Sequence, residues 1–254
     1  MKGFTRALKL ELENMKERKF SLLFYLIAPL LIIALFYMIT SSLTLDWTNY
    51  ASMGLRIYDF YVPNILGIVV LFITTQLMVL RIIGERAPYG TLDRELIAIS
   101  KSGMFFGKLI ANLIFVFLQC FLIFLSAYVF FPAKNYGSPI SVFLFILLIG
   151  IFGAVLGFFI SIMSKNKEQA VQLVPFFVLI LMVLSGILIP IDLMPTDIAT
   201  ITSIFPLTLG TTSLKTLTLD GVGFEDVFGN MLFLIFWIVG LTFISLLKFK
   251  LERK

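Results

Sequence analysis

Apolar residues gather along the chain into six long runs, at residues 20–43, 60–80, 104–131, 140–163, 170–189 and 228–247, separated by short polar stretches. A bilayer's hydrocarbon core is crossed by about 20 mostly apolar residues at helical rise, so each run is long enough to span it. The period-2 alternation of a barrel strand is absent, and a backbone facing lipid satisfies its own hydrogen bonds as a helix. The pattern predicts an all-α integral membrane protein with six transmembrane helices. The first run is longer than the apolar stretch of a signal peptide, about 7–15 residues, and no small-x-small site closes it. It is therefore expected to stay attached as a span.

Ahead of that span the pattern changes. Phe4, Ala7, Leu8, Leu12 and Met15 fall on one helical face, while Arg6, Lys9, Glu13, Lys16 and Glu17 lie mostly opposite. This predicts an interfacial helix over residues 1–19, with its lysines near anionic headgroups. The plainer alternative is a short soluble helix that leads into the membrane. No internal repeat or linker interrupts the rest, so residues 1–254 are expected to form a single membrane domain, with a cytoplasmic segment at 84–103 and an extracellular one at 190–226.

Charge sets the orientation. One side takes Lys2, Arg6, Lys9, Lys16, Arg18 and Lys19 before the first span, and Arg81, Arg86, Arg94, Lys101 and Lys108 around the second loop. It also takes Lys165 and Lys167 in the fourth loop and Lys248, Lys250, Arg253 and Lys254 at the end. Only Arg56, Lys134 and Lys215 fall on the other side, so 17 of the 20 basic residues lie together. By the positive-inside rule that side is cytoplasmic, and an even number of spans puts both termini there. The expected location is the cell membrane, multi-pass.

Composition agrees: 59% of residues are hydrophobic and 14% charged, against about a quarter charged in a soluble domain. A net charge of +5 is no sign of a nucleic-acid partner, because the basic residues sit in clusters between apolar runs as membrane orientation requires. One cysteine, Cys120, and no histidine exclude intramolecular disulfides, Cys/His zinc sites and imidazole acid–base chemistry. Cys120 lies in an apolar run and is expected only to pack there.

The loop after the second span holds Glu85-Arg86-Ala87-Pro88-Tyr89-Gly90-Thr91-Leu92-Asp93-Arg94-Glu95-Leu96 and continues to Ile99 and Ser100. Pro88 and Gly90 break the emerging helix, and Thr91 can cap a short one whose first turn carries Asp93 and Glu95. Leu92, Leu96 and Ile99 then form an apolar stripe suited to a groove on a partner. A helix that merely lies on the membrane is the alternative. Further on, Leu184-Ser185-Gly186-Ile187-Leu188-Ile189-Pro190, Leu193-Met194-Pro195 and Ile204-Phe205-Pro206-Leu207-Thr208 break the fifth span with prolines. A partly re-entrant helix is expected over residues 196–205, with Ile198, Ile201 and Phe205 at the outer mouth of a pathway.

The Glu85-Arg86 pair followed by Gly90-Thr91-Leu92-Asp93 resembles the coupling-helix segment of the type-2 family of ABC transporter permeases. Three residues separate Arg86 from Gly90, where many members have two. The Ser-Gly, Pro, Leu-x-Pro and Pro-Leu series around the fifth span is similar to the same family's. With the spans and termini, the resemblance covers essentially the whole chain. It implies an exporter's membrane subunit that pairs with a second permease chain, alike or different, and with separate ATPase subunits. The ATPase would use ATP and Mg, and this chain would bind no cofactor. By the same resemblance Glu85, Arg86, Gly90, Thr91, Leu92, Asp93, Arg94, Leu96 and Ile99 are the candidate ATPase-coupling residues.

No catalytic or metal site is expected. The run from Gly103 through Gly107 and Lys108 resembles a phosphate-binding loop, but it has three residues between the glycines and no Ser or Thr after the lysine. Lys108 is expected to snorkel to the cytoplasmic interface. No Asp or Glu falls within the six runs, which counts against a stand-alone channel or ion-coupled carrier. A membrane-embedded enzyme would need a nucleophile–base pair or metal cluster, and neither is seen. Among the few polar residues inside the spans are Gln76, Asn112 and Gln119. The last two are seven apart on one helix face and either line a pathway or bond between helices. Gly150, Gly153, Gly157 and Ser161 put small residues along the fourth span, a pattern for close helix packing or, less directly, for dimer contact.

Overall fold

The computed structural model describes residues 19–44, 54–86, 101–187, 191 and 194–251. Of the expected interfacial helix over residues 1–19, all but Lys19 lies outside them, and Lys19 opens the first span. Within them are α1 (Lys19–Thr40), α2 (Ile57–Arg86), α3 (Lys101–Leu125), α4 (Pro139–Met163) and α5 (Lys167–Leu184). Then follow α6 (Thr196–Ser203), α7 (Pro206–Lys215) and α8 (Phe224–Leu251). Six of these are long and apolar enough to cross a membrane: α1 to α5 and α8. The protein is an all-α membrane protein, and no strand occurs among the described residues.

The helices run further out than the apolar runs do. Glu168 lies in the first turn of α5 and Glu225 and Asp226 in that of α8, where the positive end of the helix dipole favours acids. α2 likewise begins before the run at 60–80 and takes in Asp59, which is 1% exposed. The apolar runs themselves stay free of acidic residues, and it is the helices' starts beyond them that take in Asp59, Glu168, Glu225 and Asp226. Asp59 accepts hydrogen bonds from the Arg56 backbone N (3.0 Å), Nε (2.9 Å) and Nη2 (2.9 Å) and from the Lys134 backbone N (2.9 Å). Arg56 Nη2 also donates to the Pro132 carbonyl (2.6 Å), and its guanidinium lies over the rings of Tyr37 and Tyr58. The Asp59 hydrogen bond pushes Arg56 above its ordinary pKa. One carboxylate thus clasps the end of α1, the start of α2 and the loop after α3.

α2 and α4 form the centre, with 72% of each spanning window buried against 11% for α8 and 17% for α1. The small residues of α4 explain how these two approach. A Cβ on Gly153 would meet the Thr74 hydroxyl and lie 2.9 Å from the Leu71 carbonyl, and one on Gly157 would meet the Thr75 carbonyl and lie 2.9 Å from Met78 Cβ. On the same stripe a Cβ on Gly150 would lie 2.8 Å from both Cys120 Sγ and Val116 on α3. The stripe is taken up by packing within the chain, and Cys120 is fully buried there.

Between the fifth span and α8 the structure shifts the deep element. Over residues 196–203, Ile198 and Ile201 are exposed and only Thr202 is buried, so α6 lies at the surface. The buried helix is α7, whose Pro206, Leu207, Thr208, Leu209, Gly210 and Thr211 are all covered. Its hydroxyls bond back to its own carbonyls, Thr211 to Leu207 (2.8 Å) and Ser213 to Leu209 (2.7 Å), which makes burial of a polar sequence tolerable. Phe205 stacks on Trp237, whose Nε1 donates to the Ile204 carbonyl at 2.9 Å. α8 thereby holds the α6–α7 junction.

Candidate functional site

Two groups of residues carry the functional expectations. Of the coupling segment, α2 extends to Arg86 and α3 starts at Lys101, so the chain between them joins two helix ends. Gly90, Thr91, Leu92, Asp93, Arg94, Leu96 and Ile99 lie outside the described residues, as do the side chains of Glu85 and Arg86. The glycine-bounded run from 103 to 108 is part of the α3 helix. From Phe105 onward its amides belong to a helical ladder and not to a loop that wraps a phosphate.

The second group is the polar set inside the spans. α3 buries one face, which includes Ala111, Asn112, Phe115, Val116, Gln119, Cys120 and Ile123, and turns Ile114, Phe117, Leu118 and Phe121 outward. Asn112 and Gln119 are both 0% exposed, and neither amide has a hydrogen-bond partner among the described residues. Gln76 on α2 is half-buried, and its Oε1 is enclosed and unpartnered in the same sense. Asn112 and Gln119 stand on one face of α3, and the structure buries that face. Direct hydrogen bonding between helices is not what this conformation shows for them.

Two residues were missed from the sequence. Thr75, beside Gln76, is 0% exposed with an unpartnered hydroxyl, unlike Thr74, which donates to the Val70 carbonyl at 2.7 Å. Ser126 is 1% exposed with its Oγ unpartnered, and its place seven residues beyond Gln119 was the available signal. Arg81, counted from the sequence among loop cations, lies instead within α2. It is 9% exposed, with its guanidinium 5.7 Å from the centre of the Phe115 ring. A long stem allows a cation to sit in a span near its end while it rests on an aromatic face.

A family model described as "ABC-2 family transporter protein" matches residues 42–247, from the end of α1 to near the end of α8. The chain belongs to the ABC-2 transporter family. Its match thus takes in the clasp at Asp59, the polar face of α3 and the buried α7. This ABC-2 chain is also similar to "ABC transporter G family member 20" of Dictyostelium discoideum, at 25% identity over 214 residues, which is 83% of this chain. It spans about 29% of the length of that curated relative.

Proposed function

We propose that this ABC-2 chain is the membrane-spanning permease of an ATP-driven exporter in the cell membrane, working with a second permease chain and separate ATPase subunits. The observation that carries this reading is the family match across four complete spans, nearly all of a fifth, and α6 and α7, in a chain whose sequence has no phosphate loop. The segment between α2 and α3 is the proposed contact with the ATPase. Closure of the ATPases on ATP would press there and tilt α2 and α3 together, shifting the population between inward- and outward-open forms.

The contact is tested by Leu96→Asp. Loss of a central apolar anchor in a docking groove typically costs about 2 kcal/mol or more, a thirtyfold loss of affinity. The variant should insert normally, since the segment is outside the hydrocarbon, yet fail to co-purify with the ATPase. Full assembly with full transport-coupled hydrolysis would move the contact elsewhere, for instance to residues 164–169.

Orientation is tested separately. A cysteine at Asp220, an exposed position before α8, in a Cys120→Ala background should react with an impermeant thiol reagent added outside intact cells. Reaction only after the cytoplasmic side is opened would invert the proposed topology.

A further inference from the structure

The unpartnered atoms of α3 and of Ser126, which opens the helical turn just after it, form a line. Asn112, Gln119 and Ser126 follow one another at seven-residue intervals, which keeps them within about 40° of each other around a helix. Each is at most 1% exposed. Asn112 Nδ2 and Oδ1, Gln119 Nε2 and Oε1, and Ser126 Oγ all lack a partner among the described residues, as do Thr75 Oγ1 and Gln76 Oε1 on α2. The line covers about 21 Å along the axis, two-thirds of a hydrocarbon core about 30 Å thick.

Polar groups mark both ends. Arg81 lies over Phe115, one turn from Asn112. At the other end the Tyr58 hydroxyl donates to the Ala127 carbonyl, next to Ser126, at 3.4 Å, and Tyr58 adjoins the Asp59 clasp. Successive members of the line are about 10.5 Å apart, too far to bond one another. An amide left bare in an interior surrounded by lipid is strongly disfavoured. Buried water commonly settles such groups, each molecule making about three hydrogen bonds.

We propose that the interior of a single protomer binds a file of water molecules along this face of α3 and the turn that follows it, held by Asn112, Gln119 and Ser126. Water exchanges hydrogen bonds readily, so α3 can shift against α2 without stranding an amide. The inference does not depend on the chain being an exporter.

X-ray radiolysis of the full chain in lipid nanodiscs, read by mass spectrometry, tests it, because radiolysed water oxidises the side chain beside it whether or not that side chain reaches bulk solvent. Phe115, 3% exposed, should be oxidised. In the Asn112→Leu/Gln119→Leu double variant its oxidation should fall severalfold, while that of the exposed Tyr136 in the outer loop stays the same. Asn112→Leu alone, close in volume, serves if the double variant does not fold. Phe115 oxidised no more than in an unirradiated sample would overturn the proposal by showing a dry interior. Equal oxidation in wild type and variants would overturn it too, because the water would then be held by other groups.

Discussion

Asp59→Ala should lower the unfolding temperature of the purified protein in detergent by several degrees, although the substituted side chain is small and sits at the end of a helix. The carboxylate accepts from three donors of Arg56 and from the Lys134 backbone. Its removal takes an acceptor from each of those donors and leaves the Arg56 guanidinium with the Pro132 carbonyl in place of a carboxylate. Loss of one partner from a buried pair costs about 3–5 kcal/mol, and the low end applies because Arg56 is a quarter exposed. The damage should reach beyond α2, since Arg56 also holds the Pro132 carbonyl and Lys134 Nζ holds the Gly54 carbonyl at 2.8 Å. Asp59→Asn keeps the size and one acceptor, and should lose less. Unfolding at the wild-type temperature in Asp59→Ala would mean that the clasp contributes nothing to stability.

Gly157→Leu should prevent stable folding. The clash is with the Thr75 backbone carbonyl and with Met78 Cβ, and neither is the far end of a flexible chain that can swing away. α4 would have to move off α2 along the most buried contact of the protein. Overpacking a core typically costs about 1–3 kcal/mol, and more where the backbone itself must shift. Gly240→Leu on α8 is the matched control, because nothing lies within 4 Å of a Cβ there. Size-exclusion profiles of the two fluorescently tagged variants should show aggregate for the first and a wild-type peak for the second. If Gly157→Leu eluted like wild type, the close α2–α4 approach would be wrong.

The spans were legible because length and apolar content are what a bilayer selects, and the glycines of α4 were legible because only small residues permit that approach. That Asn112 and Gln119 share a face followed from helical period, but that this face is buried did not. Helix starts were not legible: Asp59, Glu168, Glu225 and Asp226 read as loop by hydropathy, yet a helix's first turn is where acids are favoured. The depth of α7 was hidden for a related reason. Its Thr and Ser residues look polar in the sequence, but hydroxyls that bond to their own helix's carbonyls present little unmet polarity to their surroundings. Ser126 was overlooked because a single hydroxyl in an apolar run carries little weight until its spacing from Gln119 is considered.

The central place of α4 has a cost during synthesis. The ribosome finishes α2 at Arg86 and must still add residues up to Met163 before α4 is whole. At about 5–20 residues per second, α2 waits roughly 4–15 s for the helix that covers its inner face. α3 is made within that interval, with Asn112 and Gln119 on the side that α4 will later adjoin. Until then those amides face lipid, water or the insertion machinery, and a chain stalled between α3 and α4 is the form on which quality-control proteases would find them.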